Sequence, residues 1–196
     1  SYSKFQYADF DNTNLENADL TAAFLVQVDF TKIKNKSLAG ADLSAASFAH
    51  SNLSGVDLSG IIMHTTNFYR SDLSGQDFTV ISEASAEGVL FPEANLSNSN
   101  FEGVDLSPKK MYSSILENEA PLNNLSEKDL IKNLFGKLVN IIIVSKEVRG
   151  NDLSISYVYY SNFELANLEN ANFKNANLKI TNFKLANLTN ADLSGA

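Results

Sequence analysis

Bulky apolar residues recur at every fifth position over most of this chain. The step is constant from Phe5 through Phe10, Leu15, Leu20 and Leu25 to Phe30, and it holds again from Leu38 to Phe78 and from Leu153 to Leu193. The neighbours follow a pattern too: a small side chain lies two before most of the bulky ones, and Asp or Asn commonly lies directly before them. Ala18-Asp19-Leu20, Ala41-Asp42-Leu43, Ala94-Asn95-Leu96, Ala166-Asn167-Leu168 and Ala191-Asp192-Leu193 show the unit. Five fits neither the helical period of about 3.6 nor the strand period of 2, so either element would scatter the Leu and Phe residues around its axis. A square coil gathers them. If each pentapeptide forms one side, the bulky residue and the small residue two before it point inward, and the other three positions face water. Four sides then make a coil of about twenty residues, and strand-like stacking sets successive coils about 4.8 Å apart.

Residues one coil apart must stack, so Phe10 meets Phe30, Phe48 meets Phe68 and Phe163 meets Phe183. The steps from Phe30 to Leu38 and from Phe78 to Ala86 are each three residues too long and read as corner bulges. With these allowed, side one stacks Phe5, Leu25, Phe48, Phe68 and Phe91, and side two Phe10, Phe30, Leu53, Leu73 and Leu96. Side three stacks Leu15, Leu38, Leu58, Phe78 and Phe101, and side four Leu20, Leu43, Met63, Ala86 and Leu106, which makes residues 1–107 five whole coils. The inward small position is Ala, Ser, Thr or Val nearly throughout, because a larger group would overpack a narrow interior. Lys36 and Gln76 break that rule. Lys36 borders the first bulge and is expected to swing outward; Gln76 needs a hydrogen-bond partner if it points in.

This pattern, over about three quarters of the chain, resembles the pentapeptide-repeat family. The resemblance implies an all-β fold, a right-handed quadrilateral parallel β-helix. It also implies three kinds of role: a protein-binding scaffold, an acidic rod that imitates duplex DNA and binds a type II topoisomerase such as gyrase, or the partner-recognition domain of a larger bacterial effector.

The repeat stops after Leu106 and resumes at Leu153, so residues 108–150 read as an insert and 151–196 as a continuation of about two coils. Within the insert, Ser126 can cap a helix, Leu125 can staple to Leu130, and Leu130, Ile131, Leu134, Phe135 and Leu138 share one helical face. The β-branched run Ile141 to Val144 then predicts a buried strand. This helix-plus-strand insertion either packs on the side of one continuous tube or caps the first block. The continuous tube is favoured, because two coils alone make a poor solenoid.

Composition narrows the chemistry. The absence of cysteine removes disulfides, thiol nucleophiles and zinc-thiolate sites and sets no redox compartment; a cytoplasmic setting is the default expectation. No apolar run approaches the 18 or so residues that cross a bilayer. The formal net charge of −8 is concentrated in residues 1–107, with 14 acids against 5 bases. That disfavours direct contact with nucleic acid, which needs clustered Lys and Arg. The chain starts within the repeat and without Met, as a domain cut from a larger protein would.

Two surfaces are candidates. Asp9, Asp19, Asp29, Asp42, Asp57, Asp72, Asp77 and Asp105 recur before the central residue; they either serve the turns, as Asn does at equivalent places, or form an acidic docking surface. Side one instead carries Tyr7, Phe24, Val26, Tyr69, Arg70 and Leu90 at outward positions, a strip covered either by the inserted helix or by a partner protein. Lys32, Lys34 and Lys36 make a solvated basic knob, and Glu164 and Lys184 stand one coil apart as a charge pair. His50 and His64 face outward on different sides with no nucleophile or carboxylate spacing to organise them. No phosphate loop, metal cluster or nucleophile elbow appears. The expectation is a non-catalytic interaction scaffold without cofactor or metal, bound to a protein partner.

Overall fold

A typical pentapeptide uses its five backbone N–H groups in five different ways. The computed structural model describes residues 4–81, 86, 88–107, 110–115, 141–149 and 152–196, and residues 66–70 show all five uses. Thr66 N–H closes a turn onto Met63 O at 3.2 Å, Asn67 N–H reaches down one coil to Ala46 O at 2.9 Å, and Phe68 N–H reaches up to Leu90 O at 2.7 Å. Tyr69 N–H is taken by the side-chain Oδ1 of Asn67 at 2.9 Å. Arg70 N–H bonds Pro92 O in the coil above at 3.1 Å. Nothing is left over, which is what a backbone wound into a narrow tube requires.

The repeat follows from this. Asp or Asn stands before the centre because the next residue but one has no backbone acceptor in reach. The last residue of each unit turns the corner with positive φ, as at Asn17 (57°), Asn98 (59°) and Gly75 (70°), the third-position geometry of a type II turn that favours Gly and Asn. Parallel bridges join equivalent sides: Ser47 to Asn67, Asn52 to Asp72, Ser37 to Asp57 and Asp42 to Ile62 each mark one of four ladders. The result is a solenoid β-helix in the expected register.

Its interior is two facing columns of rings between columns of leucine. On side one, Phe48, Phe68, Phe91, Phe163 and Phe183 stack at centroid spacings of 5.5, 5.3, 5.0 and 5.1 Å. On side three, Phe78, Phe101 and Phe173 stack at 4.4 and 4.8 Å. The columns meet edge to face across the tube, with Phe101 at 5.7 Å from Phe163. Buried hydroxyls at the small position return to backbone carbonyls, as Thr66 Oγ1 does to Leu43 O at 2.7 Å, with Thr181 an exception. Gln76 points in and is satisfied: its Nε2 donates to Leu53 O at 2.6 Å and Val56 O at 3.0 Å.

The first slip is two short 3-10 turns, Phe30–Lys32 and Lys34–Lys36, with Ile33 buried between them and Lys32, Lys34 and Lys36 exposed. Residues 82–85 and 87 of the second slip lie outside the described residues.

The interruption departs from expectation. Three strands, β1 (Lys110–Ile115), β2 (Ile141–Arg149) and β3 (Asp152–Tyr159), form an antiparallel sheet in the order β1-β3-β2. The β-branched run over 141–144 opens β2, and the helix expected over 125–138 lies outside the described residues. Leu153 does not resume the solenoid: it sits in β3 opposite Ile115 on one flank and Val148 on the other. The first parallel bridge after the interruption joins Leu90 to Asn162, and the next join Asn95 to Asn167, Asn100 to Asn172 and Asp105 to Asn177. Coil five is therefore followed directly by the coil centred on Phe163, Leu168, Phe173 and Leu178.

Candidate interaction surface

Side one differs from the other three at the position before the centre. There it reads Lys4, Phe24, Ser47, Asn67, Leu90, Asn162 and Asn182, with no carboxylate. The exception at Leu90 has a chemical reason: the N–H that an Asp or Asn there would bond belongs to Pro92, which has none. The turn loses nothing and the position is released to an apolar side chain. At Phe24 the side-chain acceptor for Val26 is given up.

The six strip residues share this one side or its corner. Tyr7 is 68% and Phe24 43% exposed, Arg70 is exposed, and Val26, Tyr69 and Leu90 are half-buried. Tyr69 is held from two directions. His50, one coil below, meets its ring edge-on at 5.3 Å, and the Arg70 guanidinium lies 5.0 Å from its centroid. Arg70 Nε in turn donates to Glu93 Oε2 one coil above at 2.6 Å, and this hydrogen bond raises the arginine pKa above its ordinary value. An ion pair this open adds little to stability. Its effect is to fix Tyr69 and Arg70 in one arrangement. Higher up, Lys184 Nζ reaches Glu164 Oε1 at 2.8 Å, and that bond raises the lysine pKa. Two apolar residues missing from the expected strip continue its corner: Leu165, 49% exposed, and Leu185, 72% exposed.

The eight aspartates are not brought together. Asp9, Asp29 and Asp72 lie on side two, Asp57 and Asp77 on side three, and Asp19, Asp42 and Asp105 on side four. Every one accepts the backbone N–H two residues on through Oδ1, at 2.9 to 3.1 Å. Hydrogen bonds hold the carboxyls of Asp9, Asp19 and Asp57 below their ordinary pKa, chiefly from the Asp11 backbone, the Thr21 side chain and the Ser59 side chain respectively. Asparagines stack on them, as Asn95 Nδ2 does on Asp72 Oδ1 at 3.0 Å. His50 is exposed beside Tyr69, and His64 is half-buried on side four. Among the described residues no group of three His, Asp or Glu side chains could hold a metal ion, and no helix is long and apolar enough to cross a membrane.

This arrangement offers contact area, fixed aromatic and arginine groups, and carboxylates already engaged by turns. Among solved structures, the chain is similar to a pentapeptide repeat protein, Rfr23, from the cyanobacterium Cyanothece 51142, with 18% identity, TM-score 0.27, and 90% of this chain and 84% of that chain covered. It is similar to HetL, a pentapeptide repeat protein involved in heterocyst differentiation regulation in the cyanobacterium Nostoc sp. strain PCC 7120, with 19% identity, TM-score 0.29 and coverage of 100% and 86%. A third likeness is to QnrB1, a plasmid-mediated fluoroquinolone resistance protein, with 14% identity, TM-score 0.24 and coverage of 100% and 86%. No curated protein matches the chain. The model of the family described as pentapeptide repeats matches residues 1–34, 37–64, 66–107 and 161–196 in 8 copies. With well over half of its length matched, and with the backbone accounting above repeated unit after unit, the chain belongs to the pentapeptide-repeat family.

Proposed function

We propose that this chain is a non-catalytic scaffold that binds another protein through side one of its β-helix. The observation that carries this reading is the contrast between sides. The other three sides carry Asp and Asn used by their own turns, with Ile62 of side four an exception, while side one carries no carboxylate before the centre, gives up that chemistry at Phe24 and Leu90, and presents Tyr69 and Arg70 in a fixed pose. Buried aromatic and arginine anchors dominate protein interfaces. The family resemblance adds a right-handed winding to the tube, and its convex sides suit contact better than reaction, which uses concave sites.

The acidic alternative, imitation of duplex DNA toward a type II topoisomerase, draws on the aspartates, and their spread over three sides favours the scaffold over it. A gyrase supercoiling assay separates the two, since mimicry requires an effect at micromolar protein. The scaffold is tested by capture from native lysate with immobilised protein. Tyr69→Ala combined with Arg70→Glu should abolish capture while the circular-dichroism melt stays in place; undiminished capture would remove side one as the docking face.

A further inference from the structure

We infer that the occupant of side one is a basic amphipathic helix, an inference that rests on the scaffold reading above. Charge complementarity carries it. Chain order places side four immediately before side one and side two immediately after it, so both flank the strip. Side four brings Asp19 and Asp42, stacked in adjacent coils, and side two brings Asp72 and Asp29, the latter also 4.0 Å from Lys32 Nζ. The strip between them presents Phe24, Val26, Tyr69 and Leu90, with Ser47 and His50 in the coil below Tyr69, and its own cation, Arg70, is held by Glu93 at 2.6 Å. A complementary ligand therefore has an apolar stripe with cations along both edges.

Dimensions and backbone chemistry point to a helix rather than an extended peptide. The strip runs from the coil of Phe24 to the coil of Leu90, three inter-coil steps, or about 14 Å, which is about ten helical residues. The backbone groups of side one are already bonded between coils, as Phe48 N–H is to Asn67 O at 2.8 Å and Phe68 N–H to Leu90 O at 2.7 Å. An added strand would find no free ladder on this face, so recognition passes through side chains. Lysines on a helix about 10 Å across can lay their stems along its edges and set their charges beside the flanking carboxylates, within a Debye length of about 8 to 10 Å.

The test uses the whole chain and a fluorescein-labelled 18-residue peptide of leucine and lysine, with the leucines on one helical face and lysines on both flanks. Fluorescence anisotropy should show saturable binding that weakens as salt rises from about 50 to about 200 mM. A scrambled peptide of the same composition should bind at least about tenfold more weakly, as should the wild-type peptide toward Tyr69→Ala with Leu90→Ser. Ser stands at the Leu90-equivalent position in Ser47, so the fold tolerates it. Asp29→Asn with Asp72→Asn keeps the turn bonds that Asn52 and Asn95 make on the same side, and should flatten the salt dependence. Equal binding of the scrambled peptide, or binding indifferent to the strip or to the flanking carboxylates, would overturn the inference. If lysate capture needs Tyr69 and Arg70 while this peptide fails to bind, the helix falls and the scaffold stands; if neither responds, both fall.

Discussion

Asp and Asn interchange before the bulky residue because the turn asks only for an oxygen. Asp57 Oδ1 accepts Ser59 N–H at 2.9 Å and Ser59 Oγ at 2.6 Å, and Asn52 Oδ1 accepts the same two groups of Ser54 at 3.1 and 3.0 Å. Asp57→Asn should therefore leave the urea midpoint almost unchanged, whereas Asp57→Ala removes the acceptor and should cost about 1 kcal/mol, as losing a helix cap does. Acid tests the same contact. A carboxyl held below its unfolded pKa contributes stability that is present above the unfolded value, near 3.8 for Asp9, Asp19, Asp57 and Asp192, and is lost as pH falls through the lower folded value. The melting temperature should be flat from neutral pH to about 5 and fall below about 4. A melting temperature that rises on acidification would contradict the assignment. The corner position has its own cost. Ile180, at φ 58°, is a β-branched residue where Asn and Gly are at ease, so Ile180→Asn should raise the urea midpoint by the equivalent of about 1 kcal/mol.

Columns, rather than single residues, hold the tube. Phe101 is 0% exposed and touches Phe78 and Phe173 in its own column and Phe91 and Phe163 across the interior. Phe101→Ala should cost about 3 to 5 kcal/mol in chemical denaturation, and Phe101→Leu, which copies Leu38 and Leu58 of the same column, less than about half of that. These columns were legible before any coordinates because a period of five admits one inward set. Gln76 was legible as a problem, and two carbonyls of the coil below solve it. The sheet was not legible, because two signals coincide in one stretch. Leu153, Val158 and Phe163 keep the five-residue step, but Tyr157 stands where Asp or Asn usually belongs, so that unit lacks the side-chain acceptor of its turn. The competing signal was the alternation Leu153, Ile155, Tyr157 and Tyr159 with Ser154 and Ser156, led by the turn pair Gly150-Asn151. Leu165 and Leu185 escaped for another reason: the corner position selects for backbone conformation, so its side-chain polarity carries no pattern.

An insertion of this length leaves the tube in register because of where it departs and returns. β1 follows closely on Leu106 and β3 runs into the Phe163 unit, and the two pair antiparallel with Lys110 opposite Val158 nearest the tube. Paired strands lie about 4.8 Å apart, which is also the rise from one coil to the next. The sheet thus hands the chain back one level higher at the same corner, and Asp105 can stack on Asn177 as though nothing intervened. Excision should therefore be silent for the fold. Deleting residues 108–159 joins Ser107 to Tyr160 and places Leu106 and Phe163 five positions apart, with Asp105 still accepting Ser107 N–H and Ser161 still in the small inward position. The new corner residue is Tyr160, whose left-handed conformation costs about 1 to 2 kcal/mol, a loss of about 2 to 8 °C in melting temperature, and Tyr160→Asn in the shortened chain should recover most of it. Circular dichroism should retain the parallel-β signature and a cooperative melt. A shortened chain that is unfolded, or that melts in two separate steps, would mean that the sheet holds the two blocks together, and that the bridges from Leu90 to Asn162 and from Asp105 to Asn177 are its consequence.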